Sequence, residues 1–273
     1  ALQPFMTDTS LLLSQMSRNG KRLLFEGAQA TGLDAWWGTY PFISSGNSIA
    51  SGAAIGTGLP SANSAMVIMV VKILPTRVGA GPFPSELWER NAAMDFAKTH
   101  EELFTQGNAK NNFLASMKLK INSRNATRAE LSQYFQILGD ERGATTRRGR
   151  SIGLPDVPWL QYAARMNAPR YIALTRFDML SGIDTIPVVT RYKLDGKLLT
   201  PGQIPPAFRM HEIETVTEEW PGFSENIYGA SSFDALPNNA QQFIKRIETL
   251  VGVPILLIGT GPERESMIVH ASL

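Results

Sequence analysis

The chain has 273 residues, 43% of them hydrophobic, enough to bury a large core as one α/β unit or as a main domain with an appendage. Lysine and arginine number 26 against 24 aspartates and glutamates, so no global field draws the chain to nucleic acid or to an anionic membrane, and positive charge is local. With no cysteine, disulfides, thiolate metal sites and a catalytic thiol are excluded, which fits a reducing compartment.

The longest purely apolar run, residues 65–71, is far too short to span a bilayer, and the start Ala1-Leu2-Gln3-Pro4 lacks the pattern of a signal peptide. A cytoplasmic protein with no membrane partner is expected. His100, His211 and His270 are widely separated, with no second ligand at metal spacing, so surface or loop roles are expected for them.

In chain order, residues 9–18 read as a helix stopped by Asn19-Gly20, and residues 22–25 as a strand running into the turn Glu26-Gly27-Ala28-Gln29. Residues 38–47 collect hydroxyls and N–H groups of the kind that form a phosphate nest. The methionines and valines of 61–74 suit a buried helix or a strand; the reading is helix first, then a strand into Thr76-Arg77-Val78-Gly79. Residues 77–84 form a rigid turn headed by Arg77. From 88 to 138, Asn, Lys and Gln rise and helix formers dominate, so this stretch reads as a helical insertion on the sheet.

Strands are expected at 171–175, 187–192 and 255–258, a helix at 238–250 capped by Gly252, and a proline-rich connection at 199–207. Strands alternating with helices predict an α/β fold with a mainly parallel central sheet flanked by helices. In such sheets ligands gather beyond the carboxyl ends of the strands, so the turns at 26–29, 176–178 and 259–262 qualify as site walls.

Two motifs carry most of the chemistry. Gly143-Ala144-Thr145-Thr146-Arg147-Arg148-Gly149-Arg150 packs three guanidinium groups and two hydroxyls into eight residues without an acid, the composition of an anion site or of a solvated basic loop. In Thr175-Arg176-Phe177-Asp178 a carboxylate can accept from N1–H and the exocyclic amine of guanine, with the cation two residues earlier over the base; equally, a strand-end aspartate can cap the next turn. Gly259-Thr260-Gly261-Pro262 is a backbone able to approach a flat ligand, or simply a turn.

Together these segments resemble the adenylosuccinate synthetase family, GTP-dependent ligases that join L-aspartate to IMP. The fingerprints are Leu24-Phe25-Glu26-Gly27-Ala28-Gln29, residues 38–42, 77–86 and 143–150, Trp220-Pro221-Gly222-Phe223-Ser224, Phe243-Ile244-Lys245-Arg246-Ile247-Glu248 and Thr260-Gly261-Pro262, in the family's order. The resemblance implies a P-loop-NTPase-like α/β fold, with residues 1–273 the C-terminal part of a single domain and 88–138 a helical insertion within it. It also implies purine biosynthesis, the partners IMP, GTP and L-aspartate, Mg²⁺ as cofactor, and a homodimer.

By the same resemblance, Gln29, Ser44 and Arg148 would bind IMP, and Ala144, Thr145, Thr146, Arg147 and Arg148 would form the aspartate loop. Arg150, Arg176, Phe177, Asp178, Gly259, Thr260 and Gly261 would face GTP. The family's Gly-Asp-Glu-Gly-Lys-Gly phosphate loop and its His-Thr-Gly segment have no counterpart here, so the base, the acid and the Mg²⁺ ligands are expected upstream in a longer parent protein. The chain alone is expected to be inactive. Exchanges against the family pattern at Trp37, Arg147, Gly149, Arg176 and Gly259 keep open a viral-type enzyme acting on dGMP, and the missing base and phosphate loop keep open a non-catalytic nucleotide-binding homologue.

Overall fold

The computed structural model describes residues 2–143 and 147–270. Asp8 caps α1 (Thr9–Arg18) by accepting from the Leu11 N–H at 2.9 Å, and Gly20, at φ 69°, turns the chain away from its end. Residues 22–25 then run as irregular chain rather than the expected strand, with Leu24 95% exposed. An extended segment becomes a strand only beside a partner, and among the described residues none pairs with this one.

α2 (Gly52–Thr57) ends at Gly58 in the left-handed conformation, and a 3₁₀ turn (Pro60–Ser64) leads into β1 (Ile68–Lys72). The order helix then strand read across 61–74 holds, but the helical part is only the short 3₁₀ turn and the strand already begins at Ile68. The cause is lateral: Met69 and Val71 face the core while Ile68 and Val70 face out, and the segment pairs in parallel register with residues 171–175. β2 (Thr76–Arg77) follows at once.

Residues 88–138 hold α3 (Arg90–Thr99), a 3₁₀ turn (Glu101–Phe104), α4 (Asn108–Asn122) and α5 (Arg128–Leu138). Glu89 caps α3 by accepting from the Asn91 and Ala92 N–H groups, and Thr127 and Glu130 cap α5 reciprocally. α4 and α5 join the main core through Met117, Tyr134 and Phe135, while α3 packs Phe96 and Ala97 in a smaller cluster with Phe104 and Ile137.

After the arginine loop come β3 (Ser151–Ile152), antiparallel to β2, then α6 (Val157–Asn167), capped by Asp156, and β4 (Tyr171–Thr175). A long ribbon follows, β5 (Ile183–Leu194), β6 (Lys197–Leu198) and β7 (Glu214–Phe223), then α7 (Asn238–Val251), β8 (Ile255–Gly259) and β9 (Met267–Val269). The main sheet has the order β1-β4-β8-β9, its first three strands parallel and β9 antiparallel. Residues 187–192, read as a strand of α/β type, lie in β5 of the antiparallel sheet β6-β5-β7.

α7 lays Ala240, Phe243, Ile244 and Ile247 on this framework. Phe177 packs 5.5 Å from Phe223 and 5.8 Å from Phe243, ring centre to ring centre, and Trp220 sits 4.9 Å from Phe243. Burying each such ring contributes about 1.5–3 kcal/mol, so this aromatic cluster locks the ribbon onto α7 and onto the turn after β4. That turn is held still by the core beneath it.

Candidate functional site

The carboxyl ends of β4 and β8 lie side by side. A Cβ added to Gly259 would lie 3.4 Å from the Thr175 Cα, in ordinary contact, so the end of β8 rests directly against the start of the turn after β4. Arg176 opens that turn at φ 58° and donates to the Gly139 carbonyl at 2.8 Å. Asp178 is half-buried, and burial pushes its carboxyl above the usual range.

The Phe177 side chain is wholly inside the core, and Thr260 is buried with its hydroxyl donating to the Ala230 carbonyl at 2.9 Å. Only their main chains are left for a ligand. Gly261 packs on Ser266, where a Cβ would come within 2.9 Å of the Ser266 Cβ. At the rim, Tyr228 donates its hydroxyl to Glu263 at 2.7 Å.

Across from this turn lies the arginine loop, of which Ala144, Thr145 and Thr146 fall outside the described residues. Its stems close on each other: the Gly143 N–H donates to the Arg148 carbonyl at 2.8 Å, and the Arg150 N–H to the Glu141 carbonyl at 2.9 Å. Arg147 and Arg148 are exposed and face a cleft of about 500 Å³, whose other walls include Asn91, Asp95, Lys98 and Arg142. Arg142 stacks its guanidinium 4.3 Å from the centre of the Phe104 ring.

Arg150 and Arg176, read separately from the sequence, converge on one carboxylate. Glu141 is 1% exposed, and its Oε1 lies 2.6 Å from Lys72 Nζ and 3.2 Å from an Arg176 nitrogen, while its Oε2 lies 3.5 Å from Arg150. Burial pulls Lys72 below the ordinary lysine range, Glu141 resists, and the two arginines add to the fall. The reading of the sequence missed both Glu141 and Lys72. Their signals were faint: an acid two residues before an acid-free loop, and a lysine closing an apolar strand.

The IMP-side residues form a second group. Gln29 is exposed at φ 71°, and the Ser44 hydroxyl donates to the Leu33 carbonyl at 2.8 Å. Among the described residues no hydrogen bond or ion pair ties either of them to Arg148, Arg150 or Arg176. Part of the nest of free N–H groups expected at 38–47 is satisfied by the protein's own carbonyls. The Gly38, Thr39, Phe42 and Ser44 N–H groups all donate to carbonyls of the same loop.

Asp34, missed in the sequence, organises this loop. It is fully buried and accepts from the N–H groups of Trp36, Trp37, Ser48 and Ile49 at 2.7–3.2 Å, so one carboxylate of the protein ties together the two flanks of residues 38–47. Arg77 ties the same loop to the 77–84 turn by donating to Thr39 Oγ1 at 3.2 Å, the Phe42 carbonyl at 2.9 Å and the Ala80 carbonyl at 2.7 Å.

Among the described residues no three carboxylates or histidines converge to hold a metal ion such as Mg²⁺. Nor is any helix among them long and apolar enough to cross a membrane.

A largely parallel sheet whose adjacent strand ends carry a carboxylate, a glycine turn and a ring of cations defines an α/β protein of the strand-crevice class. The family pattern described as adenylosuccinate synthetase matches residues 1–268, and the chain belongs to that family. The adenylosuccinate synthetase of Caldanaerobacter subterraneus is 37% identical over 98% of this chain and 53% of its own length. That of Geobacter sulfurreducens is 37% identical over 98% of this chain and 52% of its own.

The fully ligated adenylosuccinate synthetase of Plasmodium falciparum superposes with a TM-score of 0.80 at 32% identity, covering 99% of this chain and 55% of that one. A cyanophage S-2L succinoaminodeoxyadenylate synthetase, bound to dGMP and dATP, shares the fold at a TM-score of 0.50 and 12% identity, over 96% of this chain and 50% of that one. The chain spans about half the length of the curated relatives it matches.

Proposed function

We propose that this chain carries the guanine turn, the aspartate loop and part of the IMP site of a ligase that joins L-aspartate to IMP at the expense of GTP, giving adenylosuccinate, GDP and phosphate. The carrying observation is the convergence of Arg150 and Arg176 on Glu141, which sets the arginine loop beside the turn bearing Asp178. Two motifs with separate chemistries thereby share one mouth of the sheet.

In this reading the γ-phosphate of GTP passes to O6 of IMP, and the amine of aspartate then displaces that phosphate at C6. Phosphoryl transfer is accelerated mainly by positioning and by cations placed where charge spreads. Arg148 and Arg150 supply such cations from the loop, with Thr145 and Thr146 holding the carboxylates of aspartate. Asp178 accepts from N1–H and the exocyclic amine of guanine, and Arg176 lies over the base.

Gln29 addresses the hypoxanthine, and Ser44 the 5′-phosphate once its hydroxyl turns from Leu33. The proton on N1 of IMP needs a base and O6 an acid, and both roles fall to residues outside this chain, as do the ligands of Mg²⁺. On this reading the chain is a part of a longer enzyme, inactive alone, cytoplasmic and homodimeric in its whole form, with residues 88–138 inserted in the nucleotide-binding domain.

IMP is favoured over dGMP as acceptor by the relatives: identity is 32–37% to adenylosuccinate synthetases against 12% to the phage enzyme. The test is phosphate release by the parent protein supplied with IMP, GTP, Mg²⁺ and L-aspartate, each omitted in turn. Release is expected only with all four. Undiminished release without aspartate removes the ligase reading, and faster turnover of dGMP than of IMP replaces the acceptor.

A further inference from the structure

We infer that Glu263, latched by Tyr228, is a specificity-determining residue for a guanine base, accepting the second hydrogen of the exocyclic amine once Asp178 has seated the base. This rests on the nucleotide reading proposed above and deepens it, because it gives the base crevice a third wall and a second acceptor.

The third wall is the segment that follows β7, and it is fastened to both of the others. On the side of the turn after β4, the Gly182 N–H donates to the Phe223 carbonyl at 2.9 Å and the Ile227 N–H to the Ser181 hydroxyl at 3.3 Å. On the side of β8, the Gly229 N–H donates to the Thr260 carbonyl at 3.0 Å, and the Thr260 hydroxyl to the Ala230 carbonyl at 2.9 Å. Tyr228 lies between these anchors. It is exposed, with its hydroxyl 2.7 Å from both carboxylate oxygens of Glu263.

The latch keeps Glu263 folded over the glycine turn. A Cβ built on Gly261 would stand 3.1 Å from Glu263 Oε2, so the carboxylate lies against the main chain of that turn. Electrostatics place Asp178 in the same group: burial and then the Glu263 charge raise its carboxyl, while the Tyr228 phenol is raised chiefly by Glu263 and also by Asp178. Two carboxylates within reach of each other repel, and a ligand that offers donors to both relieves the repulsion.

Glu263 has room for one more donor. An ionised carboxylate has about four acceptor positions. The Tyr228 hydroxyl, its own N–H and the Ser266 hydroxyl at 3.3 Å occupy three of them and hold the Glu263 carboxyl below its usual range, so it stays an acceptor. Guanine brings the matching group: when N1–H and one amine hydrogen go to Asp178, the other amine hydrogen still needs a partner. Hypoxanthine has no such hydrogen, and adenine carries only C–H at that position.

The test titrates GDP and IDP, which differ only in the exocyclic amine, into the 273-residue chain by calorimetry. E263A is expected to weaken GDP about five- to tenfold, in line with the loss of one charge-assisted bond at an exposed rim, and to leave IDP unchanged. Y228F keeps the carboxylate but frees it, and is expected to weaken GDP about two- to threefold, again without touching IDP. A segment that only supported the fold would weaken both ligands alike.

If E263A does not fold, Y228F is read in the same way. A ratio of GDP to IDP affinity that stays at its wild-type value in the variant overturns the second acceptor and leaves the reading of Asp178 standing. A wild-type chain that binds no GDP overturns both.

Discussion

Tyr192 donates its hydroxyl proton to Asp156 across 2.5 Å, and both side chains lie in the interior. The contact fastens the N-terminus of α6, which Asp156 also caps through the Trp159 N–H at 3.1 Å, to the far end of β5. Burial pushes the Asp156 carboxyl up to about 6, against the hydrogen bonds from Tyr192 and Trp159 that pull it down.

The folded state therefore holds a proton there that the unfolded chain releases near its ordinary value of 3.8. Between those values folding takes up protons, so the contribution of this group to stability falls as pH rises from about 4 to about 6 and then levels off. D156N keeps an acceptor and a similar shape without the charge. Urea unfolding across this window is expected to show the wild type losing on the order of 3 kcal/mol relative to D156N. A difference that stays flat with pH would show that Asp156 is ionised throughout.

Asp34 carries the opposite sign. Burial opposes its ionisation, but the four backbone N–H groups it accepts outweigh that and hold its carboxyl below 3.8. Its stabilisation is present above the unfolded value and is lost as pH falls through the lowered one. D34A strands four donors in one loop, and a cost of about 2–4 kcal/mol is expected at neutral pH, with faster amide exchange at residues 36–49. Unchanged exchange there would mean that the loop is held by Arg77 alone.

Arg77 is expected to behave as a clamp. R77K keeps the charge, but one ammonium cannot reproduce the fork that reaches Thr39, Phe42 and Ala80 together. Proteolysis at residues 38–42 should quicken severalfold, while the melting of the aromatic cluster around Phe177 and Phe243, followed by near-UV circular dichroism, moves little. Equal loss of both would place Arg77 in the global core instead.

What could be read from the sequence depended on how local the cause was. α1, β4, β8 and α7 carry their own signals: Asp8 and Gly20 around the first, uninterrupted apolar runs in the strands, and Phe243 and Ile247 at helical spacing before Gly252. Residues 22–25 have the composition of a strand but no lateral partner in the described chain, whereas Ile68–Lys72 form a strand beside β4. Neither cause is visible in a window of neighbouring residues.

The site divides in the same way. Arg150, Arg176 and Asp178 stand out by residue type in a short motif, whereas Glu141 and Asp34 act through partners that only folding brings near. Asp34 reaches Ser48 and Ile49, and Glu141 reaches back to Lys72 and forward to Arg176. A lone acid in a sequence says nothing of who will surround it.

On the proposed reading, Asp178 gives the most direct measure of base recognition. An ionised carboxylate can accept two hydrogen bonds from guanine and none from adenine in the same pose, and each such charge-assisted bond contributes about 1.5–3 kcal/mol. D178N should therefore weaken GDP roughly ten- to hundredfold by calorimetry and leave ADP unchanged, erasing the preference. IDP, which lacks the exocyclic amine, should fall between the two on the wild type.

Since burial raises the Asp178 carboxyl above its ordinary 3.8, the acceptor begins to be lost at a higher pH than for a free aspartate. GDP affinity should decline on acidification while that of ADP stays level, and D178N should abolish the decline. A GDP preference that survives in D178N would assign base recognition to the main chain of residues 259–261.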